Sequence, residues 1–207
     1  MSEPAPKKAR TGDAQPNQAG AGIATKRIMA ELSRIRRGDH CKGADSFTDC
    51  GPVDESDIFV WEVTLTGFDH PEADANAKKF GSDLKSIGAP GVVLGIRFPT
   101  EYPRVPPFVW VKKPGMHAPY LFGKGGMCLQ ILSDEHWSPA VSVPNLLSSI
   151  RSMWNSRDVM LPGMVNKLQL WSTDVPYSKQ VGNSEQDARD DFNVVKRAHS
   201  DWFVAQK

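Results

Sequence analysis

No stretch of this chain is apolar over the roughly 18 residues needed to span a bilayer, and residues 1–20 lack the apolar centre of a secretory signal. Neither a membrane protein nor a secreted one is expected. Net charge is almost absent: the formal value is +1, so no global basic field points to nucleic acid. Cysteine is scarce. Cys41, Cys50 and Cys128 make an odd count without tight pairing, which fits a reducing compartment where a lone thiol can serve as a nucleophile. His40, Cys41 and Cys50 match no zinc-ligand spacing, so no metal site is expected. No internal repeat is present. What the chain does have is ordinary for a soluble globular protein: 207 residues, 40% hydrophobic and 24% charged, enough for one domain with extensions.

Residues 1–22 are rich in Pro, Ala, Gly and Gln and read as a disordered tail that cannot bury a core. Its basic cluster, Lys7, Lys8 and Arg10, reads as solvated charge or as an import signal. Residues 23–207 read as one domain with an insertion at about 69–90. The spacing of Ile28, Leu32 and Ile35 predicts a helix over Thr25–Arg37, closed by Gly38. Residues 38–57 read as a loop. Alternation then predicts strands through Phe59, Trp61, Val63 and Leu65, and through Val92, Leu94, Ile96 and Phe98, with a third around Phe108 and Trp110. A short helix near Asp74–Phe80 fits the insertion. Pro99 to Pro107 forms a rigid turn, because proline fixes φ and removes a donor. Val143, Leu146, Leu147, Ile150 and Trp154 predict a helix capped by Ser142, with Pro144 tolerated in its first turn. A last helix is expected over Ser184–Phe203. Helix, strand meander, then helices is an α+β order.

Cys128 carries the chemical interest. It follows Gly125-Gly126 in a stretch without long periodicity, Met116–Ser138, which reads as an ordered loop. A buried small hydrophobe and an exposed nucleophile are equally compatible with composition alone. No adjacent Ser/His/Asp pattern or metal-ligand spacing adds to this, and the lack of a Cys-x-x-Cys pair argues against a redox protein.

Six pieces decide between the readings. They are Thr-Lys-Arg-Ile at 25–28, Trp61 with its strand, Gly-Ile-Arg-Phe-Pro-Thr-Glu-Tyr-Pro-Arg-Val-Pro-Pro at 95–107, Gly-Met-Cys-Leu-Gln-Ile-Leu at 126–132, Trp-Ser-Pro-Ala at 137–140 and Leu-Leu-Ser-Ser-Ile at 146–150. In order and spacing the chain resembles the ubiquitin-conjugating enzyme family over about residues 24–203. The resemblance implies the UBC fold: an N-terminal helix, a four-stranded antiparallel meander and C-terminal helices. It implies that Cys128 accepts ubiquitin or a ubiquitin-like protein from an activating enzyme as a thioester, then passes it to a substrate lysine or to a ligase. The partners implied are the modifier, the activating enzyme, a ubiquitin ligase and protein substrates. ATP is used upstream and no cofactor is bound; the compartment is the cytoplasm, the nucleus or both.

The chain departs from the family at several points. Most members carry His-Pro-Asn ending eight residues before the cysteine; here Ala118-Pro119-Tyr120 stands there. Tyr120 can donate one hydrogen bond to an oxyanion, or it can only pack the loop. This change, an extra residue between Cys128 and Trp137, and His199 followed by Trp202 and Phe203 resemble the divergent Q-type subfamily. His199 reads as a nearby base or as a packing residue; His117 and His136 match no family position. The usual acidic stretch after the second helix is absent at Asn155–Gly163. The ligase-docking surface implied by resemblance comprises Lys26 and Arg27, Arg104 with Pro106, and Ser138, Pro139 and Ala140. A non-catalytic ubiquitin-binding or scaffold variant of the fold is the competing expectation; retention of the cysteine argues against it and loss of the asparagine for it.

Overall fold

The computed structural model describes residues 18–38, 46–133, 135–155 and 167–198. The elements run α1 (Gln18–Arg36), β1 (Phe47–Asp54), β2 (Asp57–Leu65), α2 (Ala75–Ser86), β3 (Val92–Arg97), β4 (Phe108–Lys113), β5 (Met116–His117), α3 (Val143–Asn155), β6 (Gln169–Leu170) and α4 (Glu185–Ala198). Strands β1 to β4 form one sheet in chain order, with every neighbour antiparallel, and β5 pairs with β6. This is the α+β meander expected.

The alternating residues of β2 and β3 explain the sheet. Trp61 lies opposite Ile96, Val63 opposite Leu94 and Leu65 opposite Val92, and all six are buried. Cross-strand pairs of this kind stabilise a sheet and fix its register. The Trp61 indole donates to the Ile58 carbonyl at 2.8 Å, so its one polar atom is satisfied inside the core. Ala24, Ile28 and Leu32 of α1 and Leu146, Leu147, Ile150 and Trp154 of α3 join the same core.

Three expectations need correction. The segment read as a loop over 38–57 contains β1. Cys50-Gly51-Pro52 discourages a strand locally, but β1 is an edge strand, where proline and bulges are tolerated. Its register slips between Thr48 and Gly51 and again between Pro52 and Asp54, and Asp49 takes φ 51° at the first slip. Next, α1 begins at Gln18, not Thr25, so residues 18–22 of the expected tail are helical. Gln and Ala favour helix once downstream packing has formed the nucleus. Residues 1–17, including Lys7, Lys8 and Arg10, lie outside the described residues. Finally, the short helix in the insertion runs on to Ser86. Asp74 caps it, accepting the Ala77 amide at 2.9 Å, and Ala77, Phe80 and Leu84 form a buried stripe. Phe80 meets Phe68 edge-on, with 5.0 Å between ring centroids.

Sequence reasoning also missed Glu31. It is buried, at 1% exposure, and takes Arg27 at 2.8 Å and Arg34 at 3.6 Å. Its other role is to accept the Val143 amide at 3.3 Å, which places a carboxylate at the positive end of α3. Ser142 serves that end too, accepting the Asn145 amide at 3.3 Å. α4 starts as expected, with Ser184 accepting the Asp187 amide at 3.1 Å.

Candidate active site

Cys128 sits at the base of a tight hairpin. Its amide donates to the Tyr120 carbonyl at 2.9 Å, the Phe122 amide to Gly126 at 2.8 Å and the Gly125 amide to Phe122 at 3.0 Å. Leu121 and Met127 pair between these rungs. The hairpin docks on β4, where the Val111 amide donates to the Gly125 carbonyl at 2.9 Å and Trp110 bridges to Gly126.

The two glycines are needed here for different reasons. Gly125 has φ +87°, and a Cβ on it would lie 2.2 Å from the Val111 carbonyl oxygen. A Cβ on Gly126 would lie 2.7 Å from the Ala188 carbonyl oxygen of α4. The hairpin is thus pressed between β4 and α4. Between the glycines and the tip, the Lys124 amide donates to Asp191 at 2.8 Å. The Gly-Gly pair was visible in the sequence; that α4 is what crowds it was not.

Cys128 is half-buried. Burial pushes its thiol above the ordinary value, with no charged neighbour among the causes. The charged thiolate is the form disfavoured, so it is scarce at neutral pH. The rate of alkylation by iodoacetamide is therefore expected to keep climbing beyond about pH 8.5, where an ordinary thiol is half ionised. A plateau at or below that pH would contradict the burial effect.

Tyr120 adopts φ 60°. This left-handed region suits asparagine and costs an aromatic residue about 1–2 kcal/mol. The chain therefore keeps a backbone shape natural to the asparagine that the resemblance leads one to expect, although tyrosine stands there. The Tyr120 side chain packs partly against the core. His136 is exposed and bonds to Gln130 at 3.2 Å and Ser133 at 3.0 Å. His117 is exposed on β5. His199, Trp202 and Phe203, and the segment 156–166, lie outside the described residues, as do His40 and Cys41.

Beyond Cys128 the chain makes a single 3-10 turn at Gln130–Leu132 and reaches Trp137, whose indole donates to the Pro103 carbonyl at 2.7 Å. That bond joins the loop to the proline turn. A groove of about 480 Å³ opens there, lined by Gly20, Ile23, Thr100, Glu101, Tyr102, Pro103, Arg104 and Pro139. It brings together α1, the turn and the loop after Trp137. Arg104, Ser138, Pro139 and Ala140 are exposed, as is Lys26, and Pro106 is half-buried. Arg27 is different: besides Glu31 it donates to the Val141 carbonyl at 3.0 Å, so its charge holds α1 to the start of α3. Ile23, 63% exposed, lines the groove and was not singled out from sequence; an apolar residue off the buried stripe of α1 was the available signal.

Among the described residues no group of three or more His, Cys, Asp or Glu side chains could hold a metal ion, and no helix is long and apolar enough to cross a membrane. Residues 92–184, which carry the proline turn, the hairpin and Cys128, match the family model for ubiquitin-conjugating enzyme. Over that segment the chain is similar to the ubiquitin-conjugating enzyme family.

Two curated relatives carry the same similarity. The chain is 30% identical over 132 residues to ubiquitin-conjugating enzyme E2 Q1 of Homo sapiens and, equally, of Mus musculus. The match takes in 64% of this chain but 30% of those relatives, so the chain spans less than a third of their length. A solved structure, ubiquitin conjugating enzyme E2 UbcA1 from Agrocybe aegerita, is 24% identical, with a TM-score of 0.46 covering 66% of this chain and 84% of that one.

Proposed function

We propose that this chain is an active ubiquitin-conjugating enzyme that carries ubiquitin or a ubiquitin-like protein on Cys128. The observation that carries the reading is the setting of that cysteine. It is half-buried at the base of a hairpin braced on both sides, inside the segment that matches the family. A cysteine kept only for packing would need neither brace nor partial exposure.

In this reading the Cys128 thiolate attacks the thioester carbonyl on the activating enzyme. The carbon–sulfur bond to that enzyme breaks, its thiolate leaves, and the modifier is held on Cys128. A substrate amine, or a ligase thiolate, then attacks the same carbonyl. The bond to Cys128 breaks and the thiolate is restored, with the amine proton passing to solvent. Each transfer passes through a tetrahedral oxyanion, which a fixed donor would stabilise. No bound cofactor is needed, since ATP is consumed upstream. The groove between α1 and the proline turn, with Ile23 and Arg104 on its rim, is the proposed ligase contact. The cytoplasm or nucleus is the compartment that goes with these partners.

The test is loading. Purified chain, ubiquitin, activating enzyme and ATP are expected to give a band one ubiquitin heavier that disappears with reductant. Failure with ubiquitin and with each ubiquitin-like protein, every one supplied with its own activating enzyme, would favour the non-catalytic scaffold.

Tyr120 is the proposed oxyanion donor, in place of asparagine. Tyr120→Phe keeps the ring that packs against the core and removes only the hydroxyl. Discharge of loaded enzyme to free lysine is expected to slow on the order of a hundred-fold, the effect of deleting one such donor. Discharge at the parent rate would leave Tyr120 with packing alone.

A further inference from the structure

Helix α2, inserted between β2 and β3, has no part in the reading above, yet one of its side chains bonds to a backbone that leads toward the cysteine. Asn76 accepts the Leu168 amide at 2.8 Å and donates to the Leu168 carbonyl at 3.1 Å. A carboxamide offers one acceptor and a donor pair, as a peptide group offers acceptor and donor. Asn76 therefore substitutes for one rung of a neighbouring strand, at the residue just before β6. β6 in turn pairs with β5, Met116 opposite Leu170 and His117 opposite Gln169, and the Trp171 amide donates to Gly115 at 3.0 Å. β5 continues through Ala118 and Pro119 to Tyr120, the residue at φ 60° whose carbonyl accepts the Cys128 amide.

The geometry points to Asn76 as a positioning residue for the cysteine loop: by clamping the outer edge of β6 it holds β5, and through β5 the Tyr120 turn on which Cys128 hangs. The clamp is fixed at its other end. α2 is seated by Phe80, Ala77 and Leu84, all buried, and by Gly81, where a Cβ would lie only 3.0 Å from the Asp69 nitrogen. None of these contacts depends on Asn76. Lys79 and Asp83 line the neighbouring groove of about 450 Å³ but pair with each other at 2.7 Å.

The inference rests on the transfer reading of Cys128 for its importance, and not for its test. In the full chain, Asn76→Ala is expected to speed amide exchange at Leu168 and Cys128 about ten-fold, the change for losing two hydrogen bonds to one peptide group. Alkylation of Cys128 by iodoacetamide is expected to change several-fold. Interior amides of α2 are expected to stay near the parent values, and the melting temperature to fall by only a few degrees, the amount that a ten-fold change carries for a domain of this size. Asn76→Asp, which keeps the acceptor and loses the donor, is expected to lie between, and it serves alone where the alanine variant does not fold. Lys79→Ala is expected to leave Cys128 unchanged. Faster exchange at Leu168 with Cys128 unmoved in both readouts would overturn the inference, and so would loosening of α2 together with Cys128. A parent chain that loads no modifier but shows these shifts would sink the conjugation reading and leave the positioning role standing.

Discussion

Cys128→Ala is expected to abolish the reductant-sensitive band completely, and Cys128→Ser to replace it with a weaker band that survives reductant. The reasoning is chemical. Only a thiolate exchanges readily with a thioester, and the product is again a thioester, which thiol reductants cleave. A serine hydroxyl is a poorer nucleophile at neutral pH and forms an oxygen ester, which thiols attack slowly. Loading would therefore be slow and the product trapped. The fold should tolerate both changes, because Cys128 is only half-buried and its structural bond, to Tyr120, is made by its backbone amide. A band that persists in Cys128→Ala and remains reductant-sensitive would move the nucleophile to Cys41 or Cys50. Resistance of the parent band to reductant would rule out a thioester altogether.

Gly125→Ala is expected to destabilise the protein by about 3 kcal/mol and to impair loading with it. Two effects add. The left-handed φ of +87° costs a residue with a Cβ about 1–2 kcal/mol. That Cβ would also stand 2.2 Å from the Val111 carbonyl oxygen and 2.8 Å from Asn183 Nδ2, so the hairpin must move off β4. The bond from the Val111 amide to Gly125, at 2.9 Å, goes with it, a loss of about 1 kcal/mol. For a domain of this size the melting temperature should fall by about 6–12 °C. The same movement displaces Cys128, which lies on the same strand of the hairpin. Gly123 is the control: nothing lies within 4 Å of its hypothetical Cβ, and its φ is not in the left-handed region. Gly123→Ala should change stability and loading little. Equal melting temperatures for the two variants would mean that the hairpin is not held against β4 as described.

Much of this architecture can be read along the chain, and the reason is locality. Alternation in Trp61-Val63-Leu65 and Val92-Leu94-Ile96 selects strands with one buried face, and these are the residues the sheet stacks opposite one another. The run from Asp74 to Phe80 suggests a short helix, though neither its cap nor its continuation through Leu84 to Ser86 is read from it. Cys128 stood out because short motifs surround it at family spacing. In each case the information sits within a few residues.

The remainder was decided by groups far apart in sequence. β1 exists because β2 offers it a ladder, which overrides the poor local propensity of Cys50-Gly51-Pro52. Glu31 became the cap of a helix more than a hundred residues away, which no local pattern announces. Arg27 counted among docking cations by its place on α1, yet packing turned it inward to Val141. Asn76 looked like one more polar residue of an insertion until the fold laid Leu168 against it. Periodicity determined the helices and strands with a regular apolar face, such as β2, β3 and α3, because that pattern depends on neighbours along the chain. The support of the cysteine loop was decided only by tertiary structure, because hydrogen bonds form wherever folding leaves a buried donor beside an acceptor, whatever their separation in sequence.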